Sequence, residues 1–313
     1  MKDQKFILLI AFCISIVACS STKHTNTPIK KEPIAVVKKM QKQGVRRIVI
    51  DAGHGGTDAG AVGKYSTEKD VSLSVALLLE AEIKKEMPDV VVYMTRTTDI
   101  YDHVKIKADK ANAAKGDLFI SIHCNSTKGI LHKEFLGTKT VKYKSKGKTR
   151  TKKVPQYRYY TTPSPAKGTE TYVWGIDKNE DKLQALMDNE DVYSDSSMLM
   201  DKKSLEDPEQ ITAISLRMQQ YAERSRNLAY NVQDEFTKIG RVNRDAKQRA
   251  VGIWVLQAVA MPAVLIELGF ISNPDEEDYL NSGQGQRELS QSIARSVKQY
   301  KQNIEAKMNF NNK

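Results

Sequence analysis

Two histidines, His54 and His123, each stand where an apolar run gives out. The first is ringed by glycines in "VIDAGHGGTDAG" and the second closes "LFISIH". Glycines in a strand-to-helix turn can cradle a phosphate, but this stretch has neither the Lys-Ser/Thr of a P-loop nor the spacing of a dinucleotide fingerprint. Strand carboxyl ends border the ligand crevice of an open α/β sheet, so two strand-terminal histidines can face one point and invite a metal. Hydrolytic zinc takes three protein ligands and leaves a fourth position for water. Glu68, in "STEKD" at the head of a helix, is the candidate third ligand. Its alternative is to complement the helix dipole behind a Ser66 or Thr67 cap.

A hydrolase also needs a group that manages the proton of the attacking water. Glu267 interrupts the apolar run from Ala263 to Phe270 in "MPAVLIELGFISNPDEE". A carboxylate buried in a strand is costly unless it is paired, metal-linked or catalytic. A structural ion pair is the alternative to catalysis here.

Alternating strands and helices must position these residues. "RRIVID", "VVVYMT", "DLFISIHCN", "GTETYVWG" and "AVLIELGF" have the apolar runs of strands. Val71, Val75, Leu78, Leu79 and Ile83 recur at helical spacing, and residues 105 to 115 are consistent with a second helix. A stripe from Ile211 to Ile239 predicts a long helix, and Leu289, Ile293, Val297, Tyr300 and Ile304 predict a closing one. The pattern predicts an α/β fold with a mainly parallel open sheet flanked by helices on both faces, as a single catalytic domain over residues 45 to 306. Residues 126 to 168 break it: about a dozen Lys and Arg against the single acid Glu134 predict an inserted basic loop or hairpin.

The chain has 313 residues and a net charge of +11, which suits an anionic partner. No nucleic-acid motif is visible. Lys2 and Lys5 precede an apolar run from Phe6 to Val17, too short for a comfortable membrane span and arranged like a signal peptide over residues 1 to 18. "IVAC" resembles the lipobox of a bacterial lipoprotein, with Cys19 as the residue to be acylated; an uncleaved anchor or an ordinary secretory signal are the alternatives. Residues 19 to 44 are polar and Lys-, Ser-, Thr- and Pro-containing, as in a flexible tether. With Cys13 lost and Cys19 lipidated, only Cys124 remains as a thiol, so no intramolecular disulfide is expected.

Taken together and in order, "IVIDAGHGGTDAGAVG", Glu68, "DLFISIHCN" and "MPAVLIELGFISNPDEE" resemble the zinc-dependent N-acetylmuramoyl-L-alanine amidases of bacterial cell walls, the amidase_3 family, over residues 46 to 302. The resemblance implies one catalytic Zn2+ held by His54, Glu68 and His123, with Glu267 as the catalytic glutamate. It implies cleavage of the amide between N-acetylmuramic acid and L-alanine in peptidoglycan, during wall remodelling or daughter-cell separation. Arg96, Asp99 and Asn112 match residues that hold such ligands in place. Cys124 stands where the family more often has alanine; neighbours on a strand point to opposite faces, so His123 and Cys124 do not both reach the metal. Some members carry a helical segment that blocks the zinc until an activator protein displaces it. Residues 178 to 209 are its candidate counterpart, with Glu190 as the candidate cap on the metal.

These readings predict a monomeric, periplasmic, lipid-anchored hydrolase, on the outer membrane because Ser20 replaces the aspartate that favours inner-membrane retention. Two rivals are a zinc peptidase acting within the stem peptide and a non-catalytic wall-binding module that uses the basic 126 to 168 region.

Overall fold

The structure, a computed structural model, describes residues 44–175, 182, 183, 185, 186, 208–248 and 253–310. The elements are β1 (Arg47–Ala52), α1 (Glu68–Glu86), β2 (Val91–Met94), α2 (Val104–Ala113), β3 (Leu118–Asn125), β4 (Ile130–Ser145), β5 (Lys148–Thr162), β6 (Thr169–Val173), α3 (Pro208–Lys238), β7 (Asn243–Gln248), α4 (Trp254–Ala258), β8 (Ala263–Phe270), α5 (Pro274–Asn281) and α6 (Gly283–Phe310).

β2, β1, β3, β8, β6 and β7 form one sheet in that order. The first four are mutually parallel, as expected. β6 runs antiparallel to β8, and β7 parallels β6. β1, β3 and β8 are apolar on both faces because helices cover both, which removes the period-two alternation of a half-exposed strand. One face packs Ile48, Ile50, Ile120, Ile122, Val264 and Ile266 beneath α1, α3 and α6. The other packs Val49, Phe119 and Leu265 against α2 and α4. The sheet is therefore mainly parallel and flanked by helices on both faces.

The stripes predicted for α1, α3 and α6 are the buried ones: Val71, Val75, Leu79 and Ile83; Leu228, Val232 and Phe236; Leu289, Ile293 and Val297. α5 begins at Pro274, whose missing N–H costs nothing in the first turn, after Asn273 accepts from the Asp275 N–H at 3.0 Å.

The basic insertion is a hairpin. β4 and β5 pair from Ile130↔Thr162 to Ser145↔Lys148, broken by a bulge at Leu136 and Gly137, and lie outside the main sheet. His132 stacks on Tyr160 with ring centroids 5.0 Å apart, and the Lys133 ammonium sits 3.9 Å over the Tyr157 ring.

The signal, Cys19 and nearly all of the tether lie outside the described residues. So does most of 178 to 209, including Glu190, apart from Lys182, Leu183, Ala185, Leu186 and the start of α3. Among the described residues no helix is long and apolar enough to cross a membrane.

Candidate metal centre

β1 delivers the chain into a loop that only unusual backbone geometry allows. His54 adopts φ 56°, followed by Gly55 at 131° and Gly56 at 57°. A Cβ on Gly55 would lie 2.2 Å from the Ile100 carbonyl oxygen, so glycine is required there. The turned loop presents the His54 ring at the carboxyl end of the sheet, where His123 stands just before Cys124 and Asn125, the last residues of β3.

The loop is held from below by two buried cations. Arg96 donates to the carbonyls of Ala52 at 3.0 Å, Gly53 at 2.7 Å and Lys69 at 2.8 Å. Lys107 donates to Ala52 at 2.7 Å and His54 at 3.3 Å while its ammonium pairs with buried Asp51 at 3.0 Å. Burial raises the Asp51 pKa, but Lys107, Thr95, His123 and Ser121 outweigh it and hold the carboxyl below its ordinary value. Asp99 bonds the Gly56 N–H and Lys69 on the far side of the turn. Arg96 and Asp99 thus support the His54 loop, whereas Asn112 bonds Ala258 and Ala260 and ties down the approach to β8.

Glu68 is the first residue of α1 and its carboxylate is buried. Its Oε1 lies 2.8 Å from His123 Nδ1 and accepts from the Cys124 N–H at 3.0 Å. Its Oε2 lies 3.2 Å from His54 Nε2 and accepts from the Ala61 N–H at 2.8 Å. One ligand atom from each of His54, Glu68 and His123 lies within 4.8 Å of the others. A nitrogen, oxygen, nitrogen set at strand and helix ends suits zinc with an open fourth position. Gly60 packs directly against two of these donors: a Cβ there would fall 2.6 Å from both Glu68 Oε2 and the His54 ring.

The electrostatics are those of a tight acid–base cluster. Burial opposes a charged His54, yet Glu68 and Asp58 outweigh it and raise its pKa to about 9. Burial likewise works against Glu68, but both histidines hold its carboxyl far below the ordinary range.

Glu267 is the neighbour of His123 in the β3–β8 ladder, half-buried on the same sheet face. Cys124 points the other way into the core, where burial and then the charges of Glu68, Glu267 and Glu276 push its thiol up. It does not join the donor cluster.

Three supporting carboxylates escape sequence reasoning. Asp58 Oδ2 lies 2.8 Å from His54 Nδ1, fixing the ring so that Nε2 faces Glu68; the spacing His-x-x-x-Asp in a glycine loop is its signal. Glu277, fully inside, accepts from the Lys64, Tyr65 and Ser66 N–H groups and so pins the loop between His54 and Glu68. Glu276 accepts from Gly168 and Phe270 and pairs with Arg241 at 2.6 Å. Both belong to "NPDEE", a run that reads as a solvated helix start.

The model of the amidase_3 family, described as N-acetylmuramoyl-L-alanine amidase, matches residues 48–299. The N-acetylmuramoyl-L-alanine amidase AmiC of Escherichia coli O6:H1 is 32% identical over 254 residues, 81% of this chain and 52% of that protein. AmiC of Neisseria meningitidis serogroup B is 30% identical over 256 residues, again 81% and 52%. This chain therefore spans about half the length of these curated relatives. The crystal structure of an N-acetylmuramoyl-L-alanine amidase from Clostridium difficile 630 shares the fold, with a TM-score of 0.52 at 24% identity over 82% of this chain and 97% of that one. With the family's span taking in every strand of the sheet and all four residues of the cluster, the chain is a member of the amidase_3 family.

Proposed function

We propose that the protein is a zinc-dependent N-acetylmuramoyl-L-alanine amidase that cleaves the amide between the lactyl group of N-acetylmuramic acid and L-alanine of the peptidoglycan stem. The observation that carries this reading is the convergence of His54, Glu68 and His123 to within 4.8 Å beside Glu267 on the adjoining strand. His54, Glu68 and His123 would hold the ion, and when bound it supplies Lewis acidity to the scissile carbonyl and to water. Asp58 fixes the His54 ring, and Arg96 and Lys107 fix its loop. Glu267 takes the proton of the attacking water and returns it to the leaving amine. Family membership favours this amide over a peptide bond farther along the stem, and a converged hydrolytic set argues against a wall-binding module.

Export by residues 1–18, acylation of Cys19, a tether over 19–44 and a catalytic domain over 45–306 belong to the same proposal, supported by the "IVAC" pattern and the family span. They place the enzyme in the periplasm, on the outer membrane. Regulation by 178–209, with Glu190 as cap and a protein activator, rests on the position of that segment between β6 and α3.

The test is mass spectrometry of the products from purified peptidoglycan treated with residues 45–313 and zinc. Free peptides beginning with L-alanine are expected. Fragments cut within the stem would assign a peptidase instead.

A further inference from the structure

The row of in-register residues across the sheet does not stop at Glu267. Glu170 on β6 lies opposite Glu267, so His123, Glu267 and Glu170 project to one face from three neighbouring strands. Glu170 is 4% exposed. Its Oε2 accepts from the Tyr172 hydroxyl at 2.6 Å and the Asn125 amide at 2.9 Å. Its Oε1 takes two cations from β7: Arg244 Nε at 2.8 Å and Lys247 Nζ at 3.0 Å. Burial raises the Glu170 pKa, but these hydrogen bonds and charges outweigh it, so the carboxyl is ionised.

Arg244 and Lys247 thus converge on one carboxylate oxygen at the edge of the row that carries Glu267. The neighbouring Asp245 accepts from the Ala246 N–H. Held on one oxygen, the two head groups sit close enough together for both to meet one further carboxylate. The Arg244 guanidinium also lies over the Phe270 ring, 4.8 Å from its centroid. Both side chains are more than a third exposed. A planar guanidinium beside an ammonium suits a carboxylate.

β7 stands two strand spacings from β8, about 10 Å. Two extended residues cover about 7 Å, and the side chains span the remainder. We propose that Arg244 and Lys247, held in place by Glu170, bind the first free carboxylate of the stem peptide beyond the scissile amide, that of its second residue. This rests on the amidase reading and adds a substrate contact to it.

Two muramoyl tripeptides test it, identical except that the second residue carries a free α-carboxylate or a carboxamide. The wild-type zinc enzyme is expected to prefer the carboxylate form about tenfold in kcat/KM, the scale of one charge-assisted contact. Arg244→Gln with Lys247→Gln removes the preference, lowering kcat/KM for the carboxylate form about tenfold more than for the amidated form; Lys247→Arg keeps it. Should the double variant fail to fold, Lys247→Gln alone serves, with a partial loss of preference. Equal losses on both substrates, or an indifferent wild type, would overturn the proposal. If the wild type cleaves neither, the amidase reading fails, and calorimetric affinity of the zinc-loaded protein for the two tripeptides decides: tighter binding of the carboxylate form supports the subsite and equal affinity overturns it.

Discussion

His123 and Glu267 are direct neighbours in the parallel ladder of β3 and β8, while Glu68 reaches His123 Nδ1 from the head of α1 at 2.8 Å. A candidate metal donor and a candidate proton carrier are thus fixed by one backbone register, and the candidate carboxylate donor by the way α1 docks. The strand pairing sets their separation, so no loop has to close to bring them together.

Gly60 makes the arrangement sensitive to a single methyl group. At φ 65° it takes a conformation that L side chains rarely adopt, and its Cβ would strike Glu68 Oε2 and the His54 ring at 2.6 Å. Gly60→Ala should weaken zinc binding at least about tenfold, as perturbed ligand support does, measured by calorimetry. Unchanged affinity would show that the loop yields freely.

Arg96 should matter to both stability and metal. Arg96→Met removes the side-chain donor to the carbonyls of Gly53 and Lys69, while Ala52 keeps Lys107, and stranded buried acceptors cost about 1–3 kcal/mol each. A fall of about 3 kcal/mol in urea unfolding, with weaker zinc binding, is expected.

Zinc should stabilise the fold, because the donors are in place in the folded chain. Saturation at 100 times the dissociation constant should add about 2.7 kcal/mol and raise Tm. A chelator should reverse both this gain and the hydrolysis, and added zinc should restore them.

Lys182 gives a pH dependence away from the site. It is fully buried and donates to the carbonyls of Leu256, Val259 and Met261. Burial lowers its pKa from 10.5 to about 7. Between those values the unfolded chain holds the proton and the folded chain does not, so stability rises with pH across that window and is lowest below pH 7. The contribution should amount to about 2 kcal/mol between pH 7 and 9, at 1.36 kcal/mol per proton per pH unit. Lys182→Met should flatten that slope in thermal melts at several pH values.

The four cluster residues are legible in the sequence because each breaks a local pattern. His54 interrupts glycines, His123 and Glu267 end or interrupt apolar strands, and Glu68 opens a helix. Of their supports, Arg96 and Asp99 are legible through the family resemblance, whereas Lys107, Asp58 and Glu277 look like ordinary charged residues until the fold places them. β7 escapes for the opposite reason: "NRDAKQ" is a polar edge strand with no apolar run to mark it. The reversed direction of β6 depends on how the chain returns from the β4–β5 hairpin, which no local spacing encodes. Glu170 alternates with threonines in a short strand and gains meaning only from the cations of β7.

The most direct measurement compares wild type with Glu267→Gln on purified peptidoglycan, with zinc content determined in the same preparations. The account predicts equal zinc in both proteins, with free L-alanine-headed stem peptides from the wild type alone. Comparable product from Glu267→Gln at full zinc loading would contradict it.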